Sequence, residues 1–211
     1  MSIPNYKDHD PIGNLLLYLN SRMTLTEVFN PAILPMLGSK FLKEKLEVTE
    51  PGKVLIKAYW LDDCYGYSYK MLPDKNNLLV KKIKQIYPPK TILLEPVGFF
   101  KNEPGKSFKA IVKGGNIVPF WQQDFASLKL VAPEAEALAN CILAENGEQD
   151  EVRDDILDLK GDLRYFKMID KLGIKVLQSF SQKDLAPFLG YTPGYLNHLI
   201  SNDGRAKEEG F

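Results

Sequence analysis

SQKDLAPFLGYTPGYLNHLI, residues 181 to 200, carries the signals of two short helices joined by a tight turn. Ser181 stands where an N-cap belongs, with Asp184 three residues on. That is a variant of the capping box, in which side chains satisfy the amides that a first helical turn leaves without partners. Leu185, Phe188 and Leu189 share one face. Gly190 permits the left-handed backbone of a helix C-terminus, and Thr192 followed by Pro193 starts a second helix, because proline at the first position forfeits no hydrogen bond. Leu196, Leu199 and Ile200 then face back toward the first helix. The spacing predicts a steeply crossed pair, a helix-turn-helix, with a plain αα-hairpin that only packs as the alternative.

Upstream, LRYFKMIDKLG (163 to 173) has helical spacing and stops at glycine. Before it, PEAEALANCILAEN (133 to 146) places Ala135, Leu138, Ile142 and Leu143 on one helical face, with Glu134 and Glu136 at the positive end of the dipole. The same helix is expected to continue through Ile156. Asp154, Asp155 and Asp158 in the acidic stretch that follows read as solvated charge rather than as a cation site.

From Val48 to about Phe125 the texture changes to short runs of β-branched and aromatic residues. VLIKAYW (54 to 60), YGYSYKML (65 to 72), NLLVKKIKQIY (77 to 87), KTILLEPVGFF (90 to 100) and KSFKAIVKGGNIVPF (106 to 120) are separated by turn signals such as Pro51-Gly52, Pro73-Asp74, Pro88-Pro89 and Gly114-Gly115. This predicts many short antiparallel strands, an all-β barrel or roll. Residues 14 to 46, with Leu15, Leu16, Leu19 and then Phe41, Leu42 and Leu46, read as two or three short helices broken at Pro31 and Pro35.

Composition narrows the functions. Lys+Arg and Asp+Glu both total 27, so no excess charge draws the chain as a whole onto nucleic acid or an anionic membrane. The N-terminus carries acidic residues ahead of a short apolar run, unlike a signal peptide, and no apolar run is long enough to span a bilayer. Cys64 and Cys141 match neither a disulfide framework nor a metal pair, and a reduced, cytoplasmic setting is expected. With His9 and His198 as the only histidines, neither a Ser-His-Asp nor a Cys-His arrangement can be assembled. No catalytic or metal-binding residues, and no enzyme, are expected.

The 181 to 200 segment resembles the helix-turn-helix of Crp/Fnr-type regulators, in the variant that reads Ser-Gln-Lys-Asp-(Leu/Ile)-Ala-x-x-Leu-Gly-x-Thr-Pro. RYFKMIDKLG (164 to 173) is similar to the segment that precedes that module. Pro51-Gly52-Lys53-Val54-Leu55 falls where the roll's first turn belongs, and GFFKNEPGKSFKAIV (98 to 112) resembles the phosphate cassette. The resemblance, covering about residue 45 to residue 201, implies an α+β chain: an antiparallel, jelly-roll-like double-stranded β-roll with flanking helices, a dimerisation helix and a small C-terminal helix-turn-helix domain. The implied division is a cyclic-nucleotide-binding-like sensor at 1 to 132, a dimerisation helix and connector at 133 to 160, and a DNA-binding-like domain without a clear wing at 161 to 211. Ala135, Leu138, Ile142 and Leu143 would then divide between a seam with a second copy and the roll.

The same resemblance implies a cytoplasmic, homodimeric transcription regulator with a small-molecule effector and DNA as partners, and no membrane. Its effector residues would be Glu95, Gly98, Lys106 and Ser107. Lysine lacks the forked donors that grip two phosphate oxygens, and Glu95-Pro96 lacks the family's glycine, so a cyclic nucleotide is disfavoured. Tyr65, Tyr67, Tyr69, Phe99, Phe100, Phe108 and Trp121 line a pocket or, as the alternative, form core.

Gln182, Lys183, Thr192, Tyr195, Asn197 and His198 are the candidate DNA contacts. Pro193, Gly194 and His198 stand where the family carries its base-reading Arg-Glu pair and a later Arg. From Gln178 onward Lys183, Arg205 and Lys207 face Asp184, Asp203, Glu208 and Glu209, three positive against four negative. An effector-binding or protein-interaction module that has lost DNA recognition is the alternative.

Overall fold

The computed structural model describes residues 6–74, 76–208 and 210. The first residues of the N-terminal reading, and Glu209 in the charge count, lie outside them. In chain order the elements are α1 (Pro11–Arg22), α2 (Phe29–Ile33), a 3-10 turn at Leu34–Met36, β1 (Lys40–Phe41), β2 (Leu46–Thr49), β3 (Lys57–Leu61), β4 (Gly66–Pro73), β5 (Leu79–Tyr87) and β6 (Thr91–Leu93). There follow α3 (Pro96–Lys101), β7 (Phe108–Ile111), β8 (Asn116–Trp121), α4 (Gln122–Val131), α5 (Glu134–Asp158) and α6 (Leu163–Leu172). The chain ends in α7 (Val176–Ser179), α8 (Gln182–Leu189), α9 (Pro193–Asn202) and α10 (Gly204–Glu208). Antiparallel strands with helices at both ends make the α+β β-roll and C-terminal helix-turn-helix that the sequence implied.

The chain divides into two compact units. The first comprises residues up to Gly66 together with Pro89–Gly147. Its main sheet has the order β1-β8-β3-β6, antiparallel throughout, with Lys57 opposite Trp121, Leu61 opposite Ile117 and Tyr59 opposite Leu93. β2 pairs with β7, Leu46 opposite Ile111, through a bulge between Glu47 and Thr49.

Successive residues of β3 point to opposite faces, and both faces are covered, so Ala58 through Leu61 are all buried. Ala58, Trp60, Ile92 and Val118 join Leu15 and Leu19 of α1, Phe29 of α2, Leu128 of α4 and the start of α5 in one core. Burial of each large side chain there is worth roughly 1.5–3 kcal/mol. Asp62 is buried in this unit with its partners supplied: Oδ1 accepts from Asn14 Nδ2 at 3.0 Å and Trp60 Nε1 at 3.2 Å, and pairs with Lys90 Nζ at 2.5 Å.

The second unit comprises Tyr67–Pro88 and the residues from Glu148 onward. β4 and β5 are neighbours in a hairpin whose turn is held by Asp74 Oδ1, which accepts from the Asn76 amide at 2.8 Å and the Leu78 amide at 3.0 Å. Tyr165, Met168, Phe188 and Leu196 are almost fully buried in the helical part of this unit.

Four expectations change. Phe41 and Leu46 lie in strands, not helices: Leu46-Glu47-Val48-Thr49 alternates with period two, and Gly38 leaves too short a run for a helix. Pro96–Lys101 is helical where a strand was expected. Proline starts this helix, and Asn102 ends it in the left-handed region at φ 57. The β region stops at Trp121, since Gln122–Val131 is α4. Ala135, Leu138, Ile142 and Leu143 do not divide between two surfaces. All four pack into the first unit's core, because one helical stripe faces one way and the sheet takes all of it. Helices α7 and α10 were not anticipated.

Candidate functional site

In the cassette, Glu95 is the N-cap position of α3, yet its side chain makes no cap hydrogen bond. The carboxylate turns inward instead, with Oε2 at 3.5 Å from Lys109 Nζ. Lys109 is only 5% exposed, one charged residue within the otherwise apolar run of β7. Taking both charges out of water costs several kcal/mol per ion, so each needs the other in place. Gly105 closes over the pair, since a Cβ there would sit 3.1 Å from Glu95 Oε2.

Gly98 is required by a different approach: its Cβ would meet Leu55 O at 2.8 Å and Leu55 N at 2.9 Å. Lys106, the expected anion-holding cation, is exposed beyond the turn, and Ser107 is half-buried. Of the four sequence-predicted effector residues, the structure thus engages Glu95 in a buried pair whose cation was not anticipated. The missed signal was a single charge inside a short apolar strand.

Of the expected aromatic pocket, Tyr65, Tyr67, Tyr69 and Phe99 are buried. Burial pushes the Tyr65 phenol up to about 12 and, with Asp63 and Asp62 nearby, the Cys64 thiol to about 12.

In the C-terminal segment the local chemistry matches the sequence reading. Ser181 Oγ accepts from the Asp184 amide at 3.2 Å, Gly190 adopts φ 71, and Thr192 Oγ1 accepts from the Tyr195 amide at 3.3 Å with Pro193 at the start of α9. Two candidate DNA contacts meet directly, Gln182 Nε2 donating to Asn197 Oδ1 at 3.0 Å. The Tyr195 hydroxyl donates to the Asp162 carboxylate, its ring edge-on to Tyr191 at 5.1 Å. His198 lies 3.1 Å from Asn202 Nδ2, and Lys183 is exposed. The exposed face of α9 comprises Gly194, Tyr195, Asn197, His198, Ser201 and Asn202, with no lysine, arginine or carboxylate. Arg205 is engaged locally, gripping Asp203 with Nε–Oδ1 at 3.2 Å and Nη2–Oδ2 at 3.1 Å.

Two supports of this helix pair went unread in the sequence. Arg164 donates to three backbone carbonyls: Leu159 from Nε at 2.7 Å, Leu157 from Nη2 at 2.8 Å and Leu189 from Nη1 at 3.2 Å. One guanidinium therefore satisfies the C-terminal ends of both α5 and α8. From the hairpin, Lys81 Nζ reaches Asp184 Oδ1 at 2.8 Å, and Tyr67 packs edge-on against Phe180 at 5.4 Å. Among the described residues, no group of three or more His, Cys, Asp or Glu is placed to hold a metal ion, and no helix is long and apolar enough to cross a membrane.

No family model matches the sequence, and no curated protein matches it. Solved structures do match the fold. FixK2 from Bradyrhizobium japonicum aligns with TM-score 0.59 at 13% identity over 82% of this chain and 86% of its own. The c-di-GMP responsive global regulator CLP of Xanthomonas campestris aligns with TM-score 0.56 at 10% identity over 88% and 93%. A cyclic nucleotide-binding domain from Methylobacillus flagellatus gives TM-score 0.54 at 11% identity over 71% and 84%. The chain has the Crp/Fnr-like fold.

Proposed function

We propose that the protein is a DNA-binding transcription regulator of the Crp/Fnr type whose roll senses a small molecule other than a cyclic nucleotide. The observation that carries the DNA-binding half is the capped, glycine-turned helix pair with the polar face of α9 left exposed. On that face Asn197 has the amide geometry that pairs with adenine and His198 suits phosphate, as does Lys183 of α8. The ionic bond to Glu95 supports the sensor half: an incoming phosphate would have to displace an internal carboxylate from Lys109.

In this reading residues 1 to 132 form the sensor and 161 to 211 read DNA. A second copy pairs along α5 through its outward face of Ala137, Asn140 and Ala144, which is exposed. The test is selection of bound fragments from genomic DNA, followed by binding of the Asn197→Ala variant. Loss of preference for the selected fragments with retained weak general binding is the expected result. The absence of any charged group on that α9 face favours one second reading, a module of this architecture that no longer binds DNA, and failure of the wild-type protein to select any fragment would establish it.

A further inference from the structure

The first unit contains an apolar cavity apart from the Glu95–Lys109 pair. It lies between the helices and the β1-β8-β3-β6 sheet, with a volume of about 80 Å³. Ala58 and Ala139 leave the space, Trp60 forms part of its wall, and Phe99, Phe100 and Phe125 stand together in it, with ring centroids 5.0 to 5.8 Å apart. Every lining side chain is a hydrocarbon or an aromatic ring, and the Trp60 N–H is already engaged by Asp62 at 3.2 Å.

Such a wall gives water none of the two to four partners it needs, so a space of this size is stable only when dry or filled by an apolar group. Phe100 is partly exposed, and at this edge Lys129 Nζ lies 5.2 Å from the centre of the Phe125 ring. An apolar interior with a cation at its rim selects a molecule of matching polarity.

We propose that this cavity binds the tail of a small aliphatic monocarboxylate, with the carboxylate at the surface paired to Lys129. The inference rests on the reading of the roll as a sensor and supplies its ligand class. Occupancy is read through α3, which carries Phe99 and Phe100 into the cavity and Glu95 at its N-cap.

Octanoate is the probe, octanol its uncharged counterpart and acetate the tail-less control, titrated into the full chain carrying Trp121→Phe so that Trp60 is the remaining tryptophan. A saturable change in Trp60 emission and a raised Tm are expected with octanoate and octanol, and neither with acetate. Lys129→Gln is expected to weaken octanoate about two- to fivefold, as for a partly exposed ion pair, and to leave octanol unchanged. Ala139→Phe is expected to remove both responses by filling the space. If that variant does not fold, the parent titrations and Lys129→Gln decide the matter.

No saturable Trp60 response to octanoate overturns the site, and an octanoate affinity indifferent to Lys129→Gln overturns the carboxylate assignment. The titration involves no DNA, so failure of the DNA-binding reading leaves its outcome untouched.

Discussion

The C-terminal helix pair and the α3–β7 region place their charges in opposite ways. At the C-terminus the backbone devices are all in place: Ser181 and Thr192 cap, and Gly190 turns at φ 71, while the exposed face of α9 carries no charged residue. Between α3 and β7 the backbone is also set closely, with Gly98 seated against Leu55, and there the charge is internal, a Glu95–Lys109 pair. In both regions the backbone geometry is fixed locally, by caps and a glycine turn in one and by a close glycine approach in the other, while the charges are placed differently: absent from the face of α9 and buried as a pair between α3 and β7.

The sharpest way to break this comparison is to unpair the cassette. Glu95→Ala and Lys109→Met each remove one half of the buried pair and are each expected to cost about 3 kcal/mol in urea denaturation, whereas the double variant, which removes both charges, is expected to fall within about 1 kcal/mol of wild type. A double variant that loses as much as the two single ones together would show that the pair contributes packing rather than charge compensation. Next is Arg164→Ala, which strips partners from three carbonyls and is expected to cost about 2 kcal/mol, only partly recovered by Arg164→Lys because an ammonium lacks the planar fork. A neutral Arg164→Ala would mean that water serves the same carbonyls.

Ser181→Ala and Thr192→Ala sharpen the comparison from the other side. Each is expected to cost about 1 kcal/mol as a lost N-cap, with no effect on octanoate affinity.

The smallest effect is one of pH. Burial pushes the Asp203 carboxyl up, but the Arg205 hydrogen bonds outweigh it and hold the group below the ordinary range. Its contribution is full above the unfolded value of about 3.9 and is lost as pH falls through the folded one. Asp203→Asn is expected to flatten the acid limb of a stability-against-pH curve below about pH 4; an unchanged limb would count against the pairing.

How much was legible follows the same division. The ends of α8 and α9 are set by side chains within three residues of the amides they cap, so they were readable one turn at a time. Glu95 and Lys109 sit fourteen positions apart (109 minus 95) and meet only when α3 and β7 pack, so the exposed Lys106 drew the reading instead. Arg164 was read as part of a resembling segment, yet its work on Leu157 and Leu189 depends on two helix ends that sequence spacing does not bring together. Likewise Val97-Gly98-Phe99-Phe100 continues an apolar run that fits strand and helix alike, and only Pro96 ahead of it and Asn102 behind it mark the helix.

The central claim is that a retained helix-turn-helix reads DNA through a nearly uncharged face. Fluorescence anisotropy on a selected DNA fragment over a salt series tests it most directly. Specific binding is expected with a shallow dependence of log K on log salt, a slope of about −2 to −4, few phosphates being neutralised. No binding by the wild-type protein even at low salt would contradict it.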